Sequence, residues 1–345
     1  MRIVLDAMGT DASPAPDVAG AVLAARELKA TILLVGDDTR VRQELAKHNT
    51  KGLDIQVVHA SQAVTMDDKP AQVGKAKPDS SMHVGLRLVR DGLADAFVTA
   101  GNTGAAHAIA MLFSLHRISG IKRPALTAIF PFNGRLLTVL DVGANTDSKP
   151  EWLAQFALMG HIYARDVLHL PNPRVGLLSN GEEKGKGSQL VQEAASLLQQ
   201  MPLNFIGNSE PKHILYGEVD VVVCDGFVGN ILVKTFEAST RYLVNVIRDE
   251  LRHNVFTKAG ALLARPAFNR VRRRIDTREV GGAPLLGVNG VVIIAHGSSD
   301  ATAIKNALRQ ACQAAQGRLI ARIEEGLALT DANNQPLQSS EHESH

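Results

Sequence analysis

Short runs rich in β-branched residues alternate with stretches whose apolar positions recur at helical spacing over most of the chain. The runs fall at 3–6, 31–35, 55–59, 96–100, 126–130, 137–142, 175–178, 204–206, 219–224 and 291–295. Between them lie amphipathic stretches such as 17–30 and 80–90, in the second of which Met82, Leu86 and Val89 share one face. This alternation predicts an α/β fold, three-layer α/β/α with a mostly parallel sheet, and not a sandwich or a bundle. From Gly226 to Arg278 the pattern changes to two helical segments with no strand between them. The first runs from Asn230 to Leu251, and the chain then turns near Gly260 and Pro266 into a segment at 270–274. A helical hairpin over about 228–278, projecting from the sheet, is the expected arrangement. After a glycine-rich return at Gly281-Gly282-Ala283-Pro284 and the last strand, one long helix is expected from Asp300 to about Leu327. Residues 1–329 therefore read as one large α/β unit, and the polar 330–345 as a disordered tail.

Composition changes this picture little. The 345 residues are 45% hydrophobic and 4% aromatic, which excludes disorder as the main state. Cys224 and Cys312 are too few for a disulfide framework and lack CxxC spacing, which fits a reducing cytoplasm. Met1-Arg2 runs directly into Ile3-Val4-Leu5 with no secretory-signal pattern, and no stretch approaches the roughly 18 apolar residues of a membrane span. Any membrane contact is expected to be peripheral.

Candidate chemistry collects where strands end. Asp6-Ala7-Met8-Gly9, Ala100-Gly101-Asn102-Thr103-Gly104, Asp141-Val142-Gly143-Ala144-Asn145, Asn180-Gly181-Glu182-Glu183, Asp225-Gly226-Phe227-Val228-Gly229-Asn230 and His296-Gly297-Ser298-Ser299 each place glycine and small polar residues before a helix. In an open parallel sheet those carboxyl ends form the rim where ligands bind. Glycine lets a ligand approach the backbone, and helix N-terminal N–H groups favour an anion such as phosphate. Any one of these loops could equally be a capped turn, so the set carries more weight than its members. None matches GxGxxG or GxxxxGK[ST], which disfavours a standard dinucleotide or P-loop enzyme.

Lysines stand near these loops: Lys69, Lys75 and Lys77 before Ser80-Ser81, and Lys184 and Lys186 after Glu182-Glu183. Such a lysine can serve phosphate or a developing oxyanion, or can be a solvated loop charge. There is no GxSxG elbow, no HExxH and no His/Cys/carboxylate cluster with zinc spacing. His296 is the best single histidine because it leaves a buried strand at the rim, although a structural role suits it as well.

Taken in order, these strings resemble the bacterial acyl-ACP:phosphate acyltransferases of the PlsX type. The matching segments are LDAMG at 5–9, SSM at 80–82, ADAFVTAGNTG at 94–104, GIKRPAL at 120–126, LDVGAN at 140–145, GEE and KG between 181 and 187, DVVVCDGFVGN at 220–230, GGAPLLGV at 281–288 and HGSSDA at 296–301. Small departures stand at Thr10, Gly74, Ser179-Asn180, Ser188 and Ala295. The resemblance implies transfer of a fatty acyl group from acyl carrier protein to inorganic phosphate, giving acyl phosphate for phospholipid synthesis. It implies a homodimer with a fold like that of the isocitrate/isopropylmalate dehydrogenases and phosphotransacetylases, and no metal or organic cofactor.

The chemistry of the rim agrees. Phosphate is itself the nucleophile, so the site must orient an anion and stabilise a tetrahedral oxyanion. Lys186 and Asn230 are the expected catalytic pair. Asp6, Gly9, Lys77, Ser81, Asn102, Thr103, Gly104, Asn145, Asp225, Gly229, His296 and Ser298 are expected to bind or support substrate. At the hairpin, Val255, Leu262 and Leu263 fall on one apolar face with Phe256 nearby, next to Arg272-Arg273-Arg274. Between Leu251 and Arg278 there are eight Lys+Arg against one Asp, so the near-neutral total of +2 conceals a remainder of 29 basic against 34 acidic residues. A basic, partly apolar projection suits an anionic membrane surface, acidic acyl carrier protein or a downstream membrane acyltransferase, and equally a dimer interface. The overall balance gives no reason to expect nucleic acid. Competing readings are a phosphotransacetylase using acyl-CoA, an NAD-dependent β-decarboxylating dehydrogenase and a non-enzymatic scaffold. The dehydrogenase would need a Tyr beside an arginine cluster, and Tyr163, Tyr216 and Tyr242 have none.

Overall fold

In the computed structural model, which describes residues 1–132, 134–275 and 280–334, the alternating runs pair into one 11-stranded sheet. The strands are β1 Arg2–Asp6, β2 Thr31–Gly36, β3 Ile55–His59, β4 Ala96–Thr99, β5 Ala125–Phe132, β6 Arg135–Leu140, β7 Val175–Leu178, β8 Phe205–Ser209, β9 Val221–Val223, β10 Ala283–Leu286 and β11 Val291–Ile294. Their order is β3-β2-β1-β4-β11-β10-β5-β6-β9-β7-β8. The pairs on either side of the centre are parallel, whereas β10 runs antiparallel to both β11 and β5, and β5 antiparallel to β6. Two parallel blocks are thus joined through two antiparallel strands, each block with its own row of carboxyl ends.

The helices are α1 Ala15–Glu27, α2 Asp38–Leu45, α3 Pro70–Ala76, α4 Ser81–Arg90, α5 Thr103–Ile109, α6 Pro150–Asp166, α7 Gln189–Leu198, α8 Pro211–Tyr216, α9 Gly226–Leu251, α10 Val255–Ile275, α11 Ala301–Gln316 and α12 Leu319–Asn334. Strand alternation sends Ile3 and Leu5 into one core with α1, α6 and α11, and Val4 and Phe97 into another with α4 and α5. A third core gathers Phe130, Val139, Leu178, Val222 and Cys224 under α8 and α9. Helices therefore cover both faces, and the strands, buried on both sides, read as nearly continuous apolar runs.

Three expectations are corrected. The glycine-rich return at Ala283-Pro284 belongs to β10, where antiparallel pairing of Ala283 with Ile294 and Leu285 with Leu126 outweighs the weak strand propensity of Gly and Pro. The turn between the two long helices lies at Arg252-His253-Asn254, not near Gly260 and Pro266, both of which sit inside α10. Asn254 fixes that start: its Oδ1 accepts the Thr257 N–H at 2.9 Å while Thr257 Oγ1 accepts the Asn254 N–H at 3.1 Å, a reciprocal cap. The single helix after Asp300 is two, α11 and α12, broken where Arg318 adopts φ 50. The 330–334 stretch continues α12, and the rest of the expected tail lies outside the described residues.

Candidate active site

The single rim expected of a parallel sheet is instead two, because the antiparallel strands β10 and β5 separate the two parallel blocks. The first collects the ends of β1, β4 and β11. Asp6 is buried at the tip of β1 and accepts the Met8 N–H at 3.0 Å and the Thr99 hydroxyl at 2.8 Å. Burial pushes its carboxyl up against the pull of the Ser81 and Thr99 hydroxyls and the Met8 N–H. Below the same loop Asp17 accepts from the Thr10 hydroxyl, and burial raises its pKa to about 8, the Asp6 charge adding to the effect. Gly9 packs so closely that a Cβ there would lie 2.8 Å from the Ala100 nitrogen. Asp11 N–H donates to the Gly297 carbonyl at 2.9 Å, tying the β1 loop to the β11 loop.

Asn102 caps α5 by accepting the Ala105 N–H at 3.0 Å, and its amide donates to the Asp68 and Met66 carbonyls at 3.0 and 3.2 Å. Both ends of that side chain are engaged in anchoring the 65–68 loop. Thr103 and Gly104 begin α5, Thr103 exposed and Gly104 against Pro70. Lys77 reaches Asp68 and donates to the Ala63 carbonyl at 2.9 Å, so it closes the same loop. Ser81 is buried in the first turn of α4. His296 and Ser298 are exposed; His296 Nδ1 accepts the Ser298 N–H at 3.1 Å and lies 2.8 Å from Ser298 Oγ, which leaves Nε2 as the ring's donor.

The second rim collects the ends of β6, β9 and β7. Asp225 caps α9 with one oxygen, accepting the Phe227 and Val228 N–H groups at 3.0 and 2.9 Å, so the helix starts at Gly226, earlier than expected, and Gly229 and Asn230 lie in its first turns. That start is held against the β6 loop. Gly226 N–H donates to the Asn145 carbonyl at 2.8 Å, and a Cβ at Gly229 would stand 1.9 Å from the Asp141 carbonyl oxygen. Gly143, at φ 142, passes Asn230 so closely that a Cβ would be 3.2 Å from its amide nitrogen. Asn145 donates to Pro124 O at 2.7 Å and to Asp141 Oδ2 at 2.9 Å.

Lys186 is exposed on the β7 loop, its N–H donating to Glu183 O and its own carbonyl accepting from Asn208. The next residues, Gly187 and Ser188, line a cleft of about 890 Å³ together with Asp225. Asn145, Asp225, Gly229, Asn230 and the Lys186 loop thus share the second rim, and Asp6, Gly9, Ser81, Asn102, His296 and Ser298 the first. Helix α5 spans toward the second rim, for His107 feels the charges of Asp141 and Arg123, while burial is what chiefly lowers its pKa.

A model of the family described as "Fatty acid synthesis protein" matches residues 1–322. A phosphate acyltransferase of Geotalea uraniireducens is 49% identical over 328 residues, covering 95% of this chain and 94% of the relative. That of Heliobacterium modesticaldum is 50% identical over 329 residues, covering 94% and 97%. The chain belongs to the phosphate acyltransferase family. Among solved structures, a phosphotransacetylase from Streptococcus pyogenes superposes with a TM-score of 0.58 at 20% identity, covering 92% of this chain and 94% of that one. The EutD phosphotransacetylase of Staphylococcus aureus gives 0.57 at 18%, with the same coverage. At these identities the likeness shows the fold.

For this phosphate acyltransferase family member, Asp141 is the residue that sequence reasoning passed over as a site group. It is buried and accepts five donors: the N–H groups of Leu126, Gly143, Ala144 and Asn145 at 2.7 to 3.1 Å, and the Asn145 amide. Burial pushes its carboxyl up and these donors pull it back. An Asp closing an apolar run just before Gly was the available signal. Cys224, beside it, is buried, donates to Asp141 O at 3.4 Å, and has its thiol pKa pushed well up by burial.

Of the residues expected at the helical projection, Val255, Phe256, Leu262 and Leu263 are 69 to 89% exposed. Arg272, Arg273 and Arg274 belong to α10, and their side chains lie outside the described residues.

Proposed function

We propose that the chain transfers a fatty acyl group from acyl carrier protein to inorganic phosphate, yielding acyl phosphate for phospholipid synthesis. The observation that carries this reading is the second rim, where the Asn230 amide stands against the bare backbone of Gly143 and the Lys186 loop borders the cleft at Asp225. Phosphate is itself a nucleophile and attacks the thioester carbonyl directly, the carrier's thiolate leaving. What remains for the protein is to place two anionic partners and to meet the oxyanion with donors. Lys186 neutralises phosphate or oxyanion charge, and Asn230, whose amide stands against the bare backbone of Gly143, donates a hydrogen bond. Thr103, Gly104, Asn145 and Ser298 line the phosphate and thioester pocket. Asp6, Lys77, Asn102, Asp225 and His296 hold the loops that form it. The thiolate is a good leaving group, and the reaction proceeds without a required general acid.

The test is an assay of the purified protein with acyl carrier protein or CoA as acyl donor plus phosphate. Lys186→Ala and Asn230→Ala are each expected to lower turnover by roughly 10²-fold or more. Wild-type turnover in both would sink the assignment, and activity with acyl-CoA alone would favour a phosphotransacetylase-like enzyme instead.

The second part of the reading concerns α9 and α10, taken as a hairpin reaching away from the sheet. Tyr242, Leu243 and Val244 of α9 are exposed, which suits burial against a second copy in a homodimer. The apolar side chains at the start and middle of α10, with the surrounding basic residues, suit peripheral contact with an anionic membrane or with carrier protein. No helix among the described residues is long and apolar enough to cross a membrane. In liposome flotation with anionic vesicles, Leu262→Glu with Leu263→Glu is expected to abolish co-flotation; unchanged flotation would remove the tip as an anchor.

A further inference from the structure

The cleft of about 890 Å³ that opens at Asp225 continues well past the rim. It follows α9 from Val228 to Ser239, and at 1.5 Å per helical residue that is about 16 Å. Its opposite wall is the sheet. Register fixes the direction: Leu140 pairs with Thr127 at the rim end, and Phe132 pairs with Arg135 at the far end. At that far end three rings close the wall, Phe130 stacked on Phe132 at 5.5 Å and Phe236 edge-on to both at 5.6 and 5.1 Å. Val139, Leu178 and Cys224 line the sheet side nearer the mouth. Polar groups gather at the entrance, where Asn180, Ser188 and Asp225 stand. Ser179, at the same entrance and 9% exposed, has a buried hydroxyl with no hydrogen-bond partner among the described residues.

We infer that this cleft takes the hydrocarbon chain of the acyl donor, thioester end at the mouth, and that the Phe130, Phe132 and Phe236 cluster sets the length it accepts. The inference rests on the acyl-transfer reading and adds where the chain lies and what measures it. An apolar slot with a few polar groups at one end matches a long acyl thioester, whose only polar atoms are at its head. An acetyl group would leave nearly all of the slot empty. An extended polypeptide advances 3.3–3.6 Å over three backbone bonds, roughly 1.2 Å per bond, so 16 Å holds a chain of about 13 bonds. The free Ser179 hydroxyl at the entrance is a donor for the acyl carbonyl or the incoming phosphate.

Chain-length profiles of kcat/KM test this, measured with saturated acyl donors from two carbons to eighteen. Thr235 is exposed along the cleft, so Thr235→Phe fills the slot without disturbing the core. It is expected to lower kcat/KM for long donors by roughly fourfold per methylene excluded, leaving the shortest donors unchanged. Phe236→Ala removes part of the floor and is expected to move the optimum to longer chains. Folded Thr235→Phe and Phe236→Ala with the wild-type profile would overturn the inference while leaving acyl transfer standing, and would mean that another occupant, such as a helix of a second copy, fills the cleft. Acyl phosphate from no donor at all, in the wild type, would instead overturn the acyl-transfer reading.

Discussion

The two rims are built from the same kinds of residue and use them in opposite ways. At the ends of β1, β4 and β11 the buried carboxyls Asp6 and Asp17 face mainly hydroxyls and each other, and burial raises their pKa values as it does that of Asp141. At the end of β6 the buried Asp141 faces five N–H donors, which curl the 143–145 segment around it. The first arrangement braces loops and leaves their outer faces to His296 and Ser298. The second packs side-chain-free backbone together, Gly226 and Gly229 against the β6 loop and Gly143 against the Asn230 amide. A buried acid that meets mostly hydroxyls is a prop; one on which several N–H donors converge is the former on which a loop is shaped.

The sharpest way to break this contrast is Gly229→Ala. A Cβ 1.9 Å from the Asp141 carbonyl and 2.8 Å from Cys224 Sγ cannot be absorbed by a side-chain rotation, since the first obstacle is backbone. We expect a loss of about 3 kcal/mol or more in urea unfolding together with loss of turnover. Gly9→Ala at the other rim, where the nearest atom would be 2.8 Å away, is the matched control and should cost less. Equal losses would mean that the β6 loop is no more tightly shaped than the β1 loop.

A smaller effect probes the first rim by pH. Asp17, with a pKa of about 8 in the fold and an ordinary 3.8 outside it, holds its proton in the native state across the interval where the unfolded chain has lost it. The native state therefore binds more protons there. Stability from this group is complete below about pH 4 and is lost as pH rises through 8, with a limiting slope of about 1.4 kcal/mol per pH unit. Asp17→Asn keeps an acceptor for the Thr10 hydroxyl and should flatten the fall in Tm between pH 5 and 8; parallel wild-type and variant curves would contradict it.

Most of the strands and the rim loops were legible in the sequence because apolar runs ending in glycine are local signals. What was not legible depended on partners far away in the chain. Ala283-Pro284 reads as a turn, and only antiparallel neighbours 159 residues apart, Leu126 with Leu285, make a strand of that segment. Gly260 and Pro266 read as breakers, yet the cap at Asn254 had already started α10 before them. Lys77 and Asn102 read as ligand groups, whereas their partners, Asp68 and the carbonyls around it, lie in a loop whose position the spacing does not disclose. Asp141 shows the converse: its type and place were visible, and the number of donors converging on it was not.

The position of β11 also bears on how the protein is made. This strand, Val291–Ile294, lies between β4 and β10 in the middle of the sheet. While the chain is being synthesised, β4 can pair with β1 on one side only, and its other edge stays bare until nearly the entire polypeptide has left the ribosome. At about 5–20 residues per second that is many seconds with an apolar edge exposed to neighbouring nascent chains. A chain truncated before Val291 loses the centre of its sheet and not its border, and leaves β4 and β10 without the strand that joins them.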